Sequence, residues 1–380
     1  MKKKVLAGIL CGAMVLSMTA CGENVSEAEV QQAVSEIEAA VEEAVAETEV
    51  AEALVEEAVA EESTGADGSA FKVGLVTDVG GVNDQSFNQS AWEGLQRAEK
   101  DFGVQVQYLE SAGDADYAAN IETFLDEDYD LIICVGYMLA DATREAATAN
   151  PDQKFAIIDD STNADLDNVT CLTFKQEQCS YLVGYVAGTM TETDNVGFVL
   201  GMASETMHKF GYGYVAGVLD ANPDAKIQQM NANSFADSAV GKTDANTMIT
   251  NGADIIYHAA GGTGLGVIEA CQESGKYAIG VDTDQNYLAP DTVLTSAMKR
   301  VDNAVYDTTE QLISGSLQGG EAIYDLTNEG VDIAPTTTLL TDDVISAIED
   351  VKAQIISGDI KVPADQAEFE AAYGDVYELD

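Results

Sequence analysis

The chain has 380 residues, and its 67 Asp and Glu against 17 Lys and Arg give a formal net charge of −50. A polyanion of this size repels phosphate backbones, so no nucleic-acid partner is expected. Apolar residues make up 46%, ample for a sizeable core and for two or three domains, and they are too dispersed for a multi-span membrane protein.

The charge is unevenly spread. Lys2, Lys3 and Lys4 precede an apolar run from Val5 to Met18, which has the length of a signal sequence and is too short to span a bilayer. The run ends in Met18-Thr19-Ala20-Cys21, which matches a bacterial lipobox with Met18 in place of the usual Leu. Residues 1–21 are therefore expected to be a lipoprotein signal peptide, with Cys21 acylated and anchoring the chain to the outer face of the cell membrane. Residues 22–70 carry fourteen Glu, one Asp and no base. Val30, Val34, Ile37 and Val41 step by four and three, but Glu38/Glu42 and Glu43/Glu47 are like-charge neighbours on a helix with no Lys to offset them. A solvated, partly helical tether is expected there rather than a coiled coil.

From Phe71 the pattern becomes alternating strands and helices. Strands are expected at Lys72–Thr77, Val104–Leu109, Leu131–Val135, Phe155–Ile158 and Val169–Phe174. A second series follows at Val196–Leu200, Ile227–Met230, Asp254–His258 and Tyr277–Val281. A helix over Ser86–Phe102 places Phe87, Ala91, Leu95, Ala98 and Phe102 on one face. Apolar runs without alternation indicate strands covered on both sides, hence parallel sheets in an α/β fold. Two short segments repeat. Ala149–Lys154 is echoed by Ala221–Lys226, and Gly184–Gly188 (GYVAG) by Gly213–Gly217. The small residues of the second pair suggest close helix–sheet packing. Two doubly wound domains account for the length.

Ligands of such sheets sit beyond the carboxyl ends of the strands. Those ends carry Asp78 through Phe87, Gly136-Tyr137, Asp159-Asp160, Gly201-Met202, Asn233-Ser234-Phe235, Gly261-Gly262 and Asp282. Carboxylates, amides, glycines and aromatic rings together suit a polar ligand with a flat face. Catalytic sets are missing. His208 and His258 lie in no triad motif, and no Walker A, HExxH or calcium-loop spacing occurs. No enzyme activity, metal or cofactor is expected. Cys134, Cys171, Cys179 and Cys271 have no metal-site spacing; buried thiols are expected, with disulfides the alternative.

The segments KVGLVTDVGGVNDQSFNQSAWEGLQRAEKDFGV, HAAGGTGLGVIEA and AIGVDTDQNYLAPDTVLTSAMKR resemble the basic membrane protein family of bacterial lipoproteins, the purine nucleoside receptors of ABC transporters. The resemblance covers about residues 71–362. It implies a type I periplasmic-binding-protein fold, two α/β lobes joined by three hinge strands. The first lobe is placed at 71–175 plus 286–320 and the second at 176–285 plus 321–362, with 363–380 a peripheral tail. It also implies a nucleoside, with purine favoured, stacked between Phe87 and Phe235, with Phe210 nearby. Asp78, Asp159 or Asp160, and Asp282 would bind its hydroxyls, with Lys299 the companion of Asp282; Asn83 and Asp84 would cap the helix beginning near Ser86 and reach the base edge, and Gly261 and Gly262 would offer backbone contacts. The implied protein is a monomer that serves an ABC permease. Another small polar solute such as a sugar, or a sensor or adhesin role on the same fold, are the alternatives.

Overall fold

The computed structural model describes residues 67–377; the expected signal peptide, lipobox and most of the tether lie outside them. The first series of elements is β1 (Lys72–Val76), α1 (Phe87–Phe102), β2 (Gln105–Leu109), α2 (Asp114–Asp126), β3 (Leu131–Cys134), α3 (Ala140–Ala149), β4 (Lys154–Ile158) and β5 (Val169–Phe174). The second is α4 (Gln176–Met190), β6 (Asn195–Leu200), α5 (Glu205–Ala221), β7 (Lys226–Asn231), α6 (Ser238–Thr250), β8 (Ile255–Ala259), α7 (Gly264–Ser274), β9 (Tyr277–Asp282) and β10 (Val293–Lys299). After these come α8 (Val301–Ser314), β11 (Gly320–Tyr324), β12 (Val331–Ile333), α9 (Asp342–Ser357) and α10 (Gln366–Tyr373).

The strands form two six-stranded sheets, ordered β11-β5-β4-β3-β1-β2 and β12-β10-β9-β8-β6-β7. The orders are equivalent strand for strand. Every pairing is parallel except β10 with β12. Strands β3 and β6 are buried along their whole length, as the unbroken apolar runs require, while β2 at a sheet edge is largely exposed. Helix α1 buries Ala91, Leu95, Ala98 and Phe102 and stops at Gly103, whose φ of 75° suits a residue without a β-carbon. Cys134, Cys171, Cys179 and Cys271 are buried free thiols.

The chain passes between sheets three times, and two passages differ from the expectation. The first lies between Phe174 and Gln176, at the expected Lys175. The second lies between β10 and α8 rather than near Asn286. The turn at Asn286 stays within the second sheet, because its side-chain amide donates to Val293 O (2.8 Å) and folds the loop back. The third follows Tyr324 rather than Gly320, since Gly320 opens β11 alongside Thr170 of the first sheet. The passages run side by side: Lys175 N–H donates to Tyr324 O and Arg300 N–H to Gly330 O, both at 2.9 Å.

The repeated GYVAG segments join helix to helix, not helix to sheet, and both lie in the second lobe. A β-carbon on Gly184 would sit 2.2 Å from Tyr214 O, and one on Gly213 would sit 2.1 Å from Glu177 O. Only hydrogen fits, so the backbones of α4 and α5 touch. The residues after 362 are not peripheral either. Phe369 of α10 is buried, its ring 5.5 Å from that of Tyr212 on α5.

Candidate ligand-binding site

A cavity lies where the carboxyl ends of the two sheets face each other. The first lobe contributes Asp78, Gly80, Asp84, Phe87, Asn88, Gly136 and Tyr137. The second contributes Met207, Phe210, Phe235, Ala259, Ala260, Gly261, Val281, Asp282 and Lys299.

The turn after β1 is held by its own side chains. Asp84 accepts from the N–H groups of Ser86, Asn88 and Gln89 at 2.8–3.1 Å, satisfying the open donors at the start of α1. The Asn88 amide then bridges Asp78 (2.8 Å) and Asp84 (3.1 Å), and Gly80 N–H donates to Asp78 (2.9 Å). This lattice aims Asp78 into the cavity and fixes Phe87 as the first residue of the helix. Phe87 lies beside Gly136, where a β-carbon would make only an ordinary contact, 3.5 Å from Phe87 Cε1; the φ of 107° is what favours glycine there. Phe235 lies over Gly201, where a β-carbon would be only 2.4 Å from the ring, so that glycine does leave room for it.

The deepest feature is a pair of equivalent aspartates. Asp159 follows β4, the fourth strand of the first series, and Asp282 ends β9, the fourth of the second. Both are buried, with φ of 67° and 65°, a left-handed conformation that Asp tolerates better than most residues. Each is met by a donor from the opposite lobe. Lys299, at the end of β10, pairs with Asp159, and Ser86 Oγ donates to Asp282. The Lys299 ammonium is fully buried, 4.9 Å from the ring centre of Phe87, 5.1 Å from Phe174 and 5.6 Å from Phe210. Asp159 Oδ1 is buried with no hydrogen-bond partner among the described residues. Between the lobes, buried Gln285 donates to Gln85 O (2.9 Å) and exposed Tyr287 OH to Gln85 Oε1 (2.6 Å).

Burial pushes Asp78 up to about 6, against the pull of Gly80 N–H and the Asn88 amide. Burial pushes Asp282 up to about 7, with Lys299 and Ser86 pulling it down and Asp84 and Asp159 pushing further. A carboxyl raised on folding binds its proton more tightly in the folded chain. Its stabilising contribution is thus complete below the unfolded value near 3.8 and is lost as pH rises through about 7. Asp282→Asn, which mimics the neutral form, should therefore raise the Tm of the ligand-free protein at pH 8, and the gain should shrink towards pH 5. The difference between variant and parent across that range isolates Asp282 from other titrating groups, and a pH-independent difference would refute the assignment.

Asp78, Asp84, Phe87, Phe210, Phe235, Gly261, Asp282 and Lys299 thus line one cavity, with Asp159 bound to Lys299 beside it. Besides Asp159, three expected residues are not in the lining. Asn83 is exposed on its loop. Asp160 turns into its own loop, accepting from Thr162 N–H (2.9 Å) and Oγ1 (2.7 Å). Gly262 faces Phe235 O and the back of Asp84. Asn88 and Met207 line the cavity although neither was expected there. Asn88 stands four residues after Asp84 and Met207 three before Phe210, so helical spacing alone carried both signals. His258 is buried against Gln285 (3.1 Å) and is held in its neutral form, its value lowered to about 4 by burial. The arrangement offers acceptors, ring faces and one cation.

Residues 71–366 match the family described as "Bmp: ABC transporter substrate-binding protein PnrA-like". The chain is 42% identical over 315 residues to the CD4+ T-cell-stimulating antigen of Listeria monocytogenes, covering 77% of this chain and 88% of that protein. It is 38% identical to the ABC transporter nucleoside-binding protein BmpA of Lactococcus lactis subsp. cremoris, covering 77% and 89% respectively. A solved solute-binding protein of an Aeropyrum pernix ABC transporter superposes with a TM-score of 0.73 at 27% identity, covering 79% of this chain and 96% of that one. Two parallel-dominated sheets with a cavity between them agree with proteins that bind solutes for ABC transporters. The chain belongs to the Bmp family of PnrA-like ABC transporter substrate-binding proteins.

Proposed function

We propose that the cavity captures a nucleoside, purine in preference to pyrimidine, for delivery to the membrane permease. The supporting observation is the combination in one enclosure of three phenyl rings with buried acceptors. Phe87, Phe210 and Phe235 offer faces for a neutral heteroaromatic base, and Asp78, Asp159 and Asp282 accept from ribose hydroxyls. The Lactococcus relative described as nucleoside-binding supports the same reading. Because the contacts come from both lobes, ligand binding favours the closed arrangement, and the permease reads that form. The protein works as a monomer.

Guanosine, inosine or adenosine should raise the Tm of the protein; saturation at a hundred times Kd adds about 2.7 kcal/mol to stability. Uridine should shift it less and free ribose least. No shift with any nucleoside would remove the ligand assignment, and a larger shift with a sugar would transfer the site to that class.

The chain is anchored at the extracytoplasmic face through acylated Cys21, and the acidic segment 22–70 spaces the lobes from the bilayer. Cys21→Ser should release the protein from washed membranes; retention of the variant would refute the anchor.

A further inference from the structure

The C-terminal segment takes no part in the site described above, and most of it lies beyond the matched residues 71–366. It grips α5, the helix that forms one wall of the cavity. Met207 and Phe210 of α5 line that cavity, and Thr206 Oγ1 donates to Asp159 O across the cleft (3.4 Å). A second face of the same turns carries His208, Gly211 and Tyr212, and there Tyr377 is seated. Its ring stands edge-on to Tyr212 at 4.9 Å and to His208 at 5.5 Å, and its hydroxyl lies 2.9 Å from His208 Nδ1.

Gly211 is the seat. A β-carbon there would lie 2.1 Å from Cε2 and Oη of Tyr377. Glycine inside a helix is unfavourable relative to alanine, so the notch has a local cost that the seated ring offsets. The rest of the segment is fastened independently. Phe369 is buried beneath Tyr212, Tyr373 OH donates to Asp220 near the far end of α5 (3.0 Å), and Gln229 donates to Val376 O (2.9 Å).

We propose that Tyr377, seated over Gly211, is a positioning residue for the cavity: it fixes the first two turns of α5 and thereby the places of Met207 and Phe210. The inference rests on ligand capture between the lobes. A β-carbon at 211 would expel the Tyr377 ring, and because both faces belong to the same helical turns, the turn that carries Phe210 loses its support with it. Binding sites lose affinity when their supporting residues let the contact groups drift.

The test compares the full chain with Tyr377→Ala, Gly211→Ala, the double variant and Tyr377→Phe, by calorimetric titration with guanosine well below each Tm. Tyr377→Ala and Gly211→Ala should each weaken binding about fivefold to tenfold. The double variant should be no weaker than either alone, and Tyr377→Phe, which keeps the ring in the notch, should stay within about twofold of the parent. A lowered Tm with unchanged affinity in both single variants would overturn the proposal and leave Tyr377 a stabiliser only. Should the parent itself bind no nucleoside, the ligand reading fails separately. Hydrogen exchange at the amides of residues 205–210 then decides: faster exchange in Gly211→Ala supports the positioning role, and unchanged exchange overturns it.

Discussion

Lys299→Met is expected to destabilise the protein by about 3–5 kcal/mol, measured by denaturant unfolding, and to abolish ligand binding. The ammonium is buried at the end of β10, where it pairs with Asp159 and pulls on the nearby Asp282 carboxyl. Removing it strands Asp159 without its partner and raises Asp282 further, because Lys299 is the strongest of the groups pulling Asp282 down. Its contacts with the rings of Phe87, Phe174 and Phe210 are lost as well. The double variant Lys299→Met with Asp159→Leu should recover much of the stability, since a buried ion pair replaced by apolar residues of similar size is often neutral. It should recover none of the binding. A single variant as stable as the parent would show that the pair is solvated in solution.

Phe87→Ala is expected to weaken nucleoside binding by about fivefold to 150-fold, the effect of losing one stacked face worth about 1–3 kcal/mol. Phe87 is only partly buried, and the turn that carries it is held by Asp84 and Asn88 rather than by its own ring. Far-ultraviolet circular dichroism should therefore be unchanged. Phe87→Leu, which keeps apolar bulk without a π-face, should recover only part of the affinity. Unchanged affinity in the alanine variant would reassign Phe87 to packing.

The alternation of strands and helices was legible because the central strands are buried on both faces. Runs such as Leu131–Cys134 and Lys154–Ile158 leave little room for another reading. Strand β10 was not recognised because Thr295, Ser296 and Lys299 interrupt its apolar run, although all three are buried. Strand β11 is a half-exposed edge, and β12 has three residues. That gap also displaced two of the three passages between lobes.

Within the site, the rule that ligands gather at strand ends led to Asp78, Asp282 and Gly261. It could not separate Asp159 from Asp160, because consecutive residues at a strand end point in different directions. The partners across the cleft left no local trace. Ser86 and Asp282 stand 196 residues apart and Lys299 and Asp159 stand 140 apart, so only the assembled lobes reveal them. The glycines of α4 and α5 were noticed, but the surface they meet was not, since a small residue announces closeness without naming its neighbour.

The three adjoining strand passages have a geometric consequence. Segments tied to one another along a single line leave two bodies one easy freedom, a swing like that of a book about its spine. A small rotation there sweeps the longest arc at the fore-edge, on the side of β2 and β7, the strands farthest from the passages in the two sheet orders. A departing solute would leave by that fore-edge rather than along the binding.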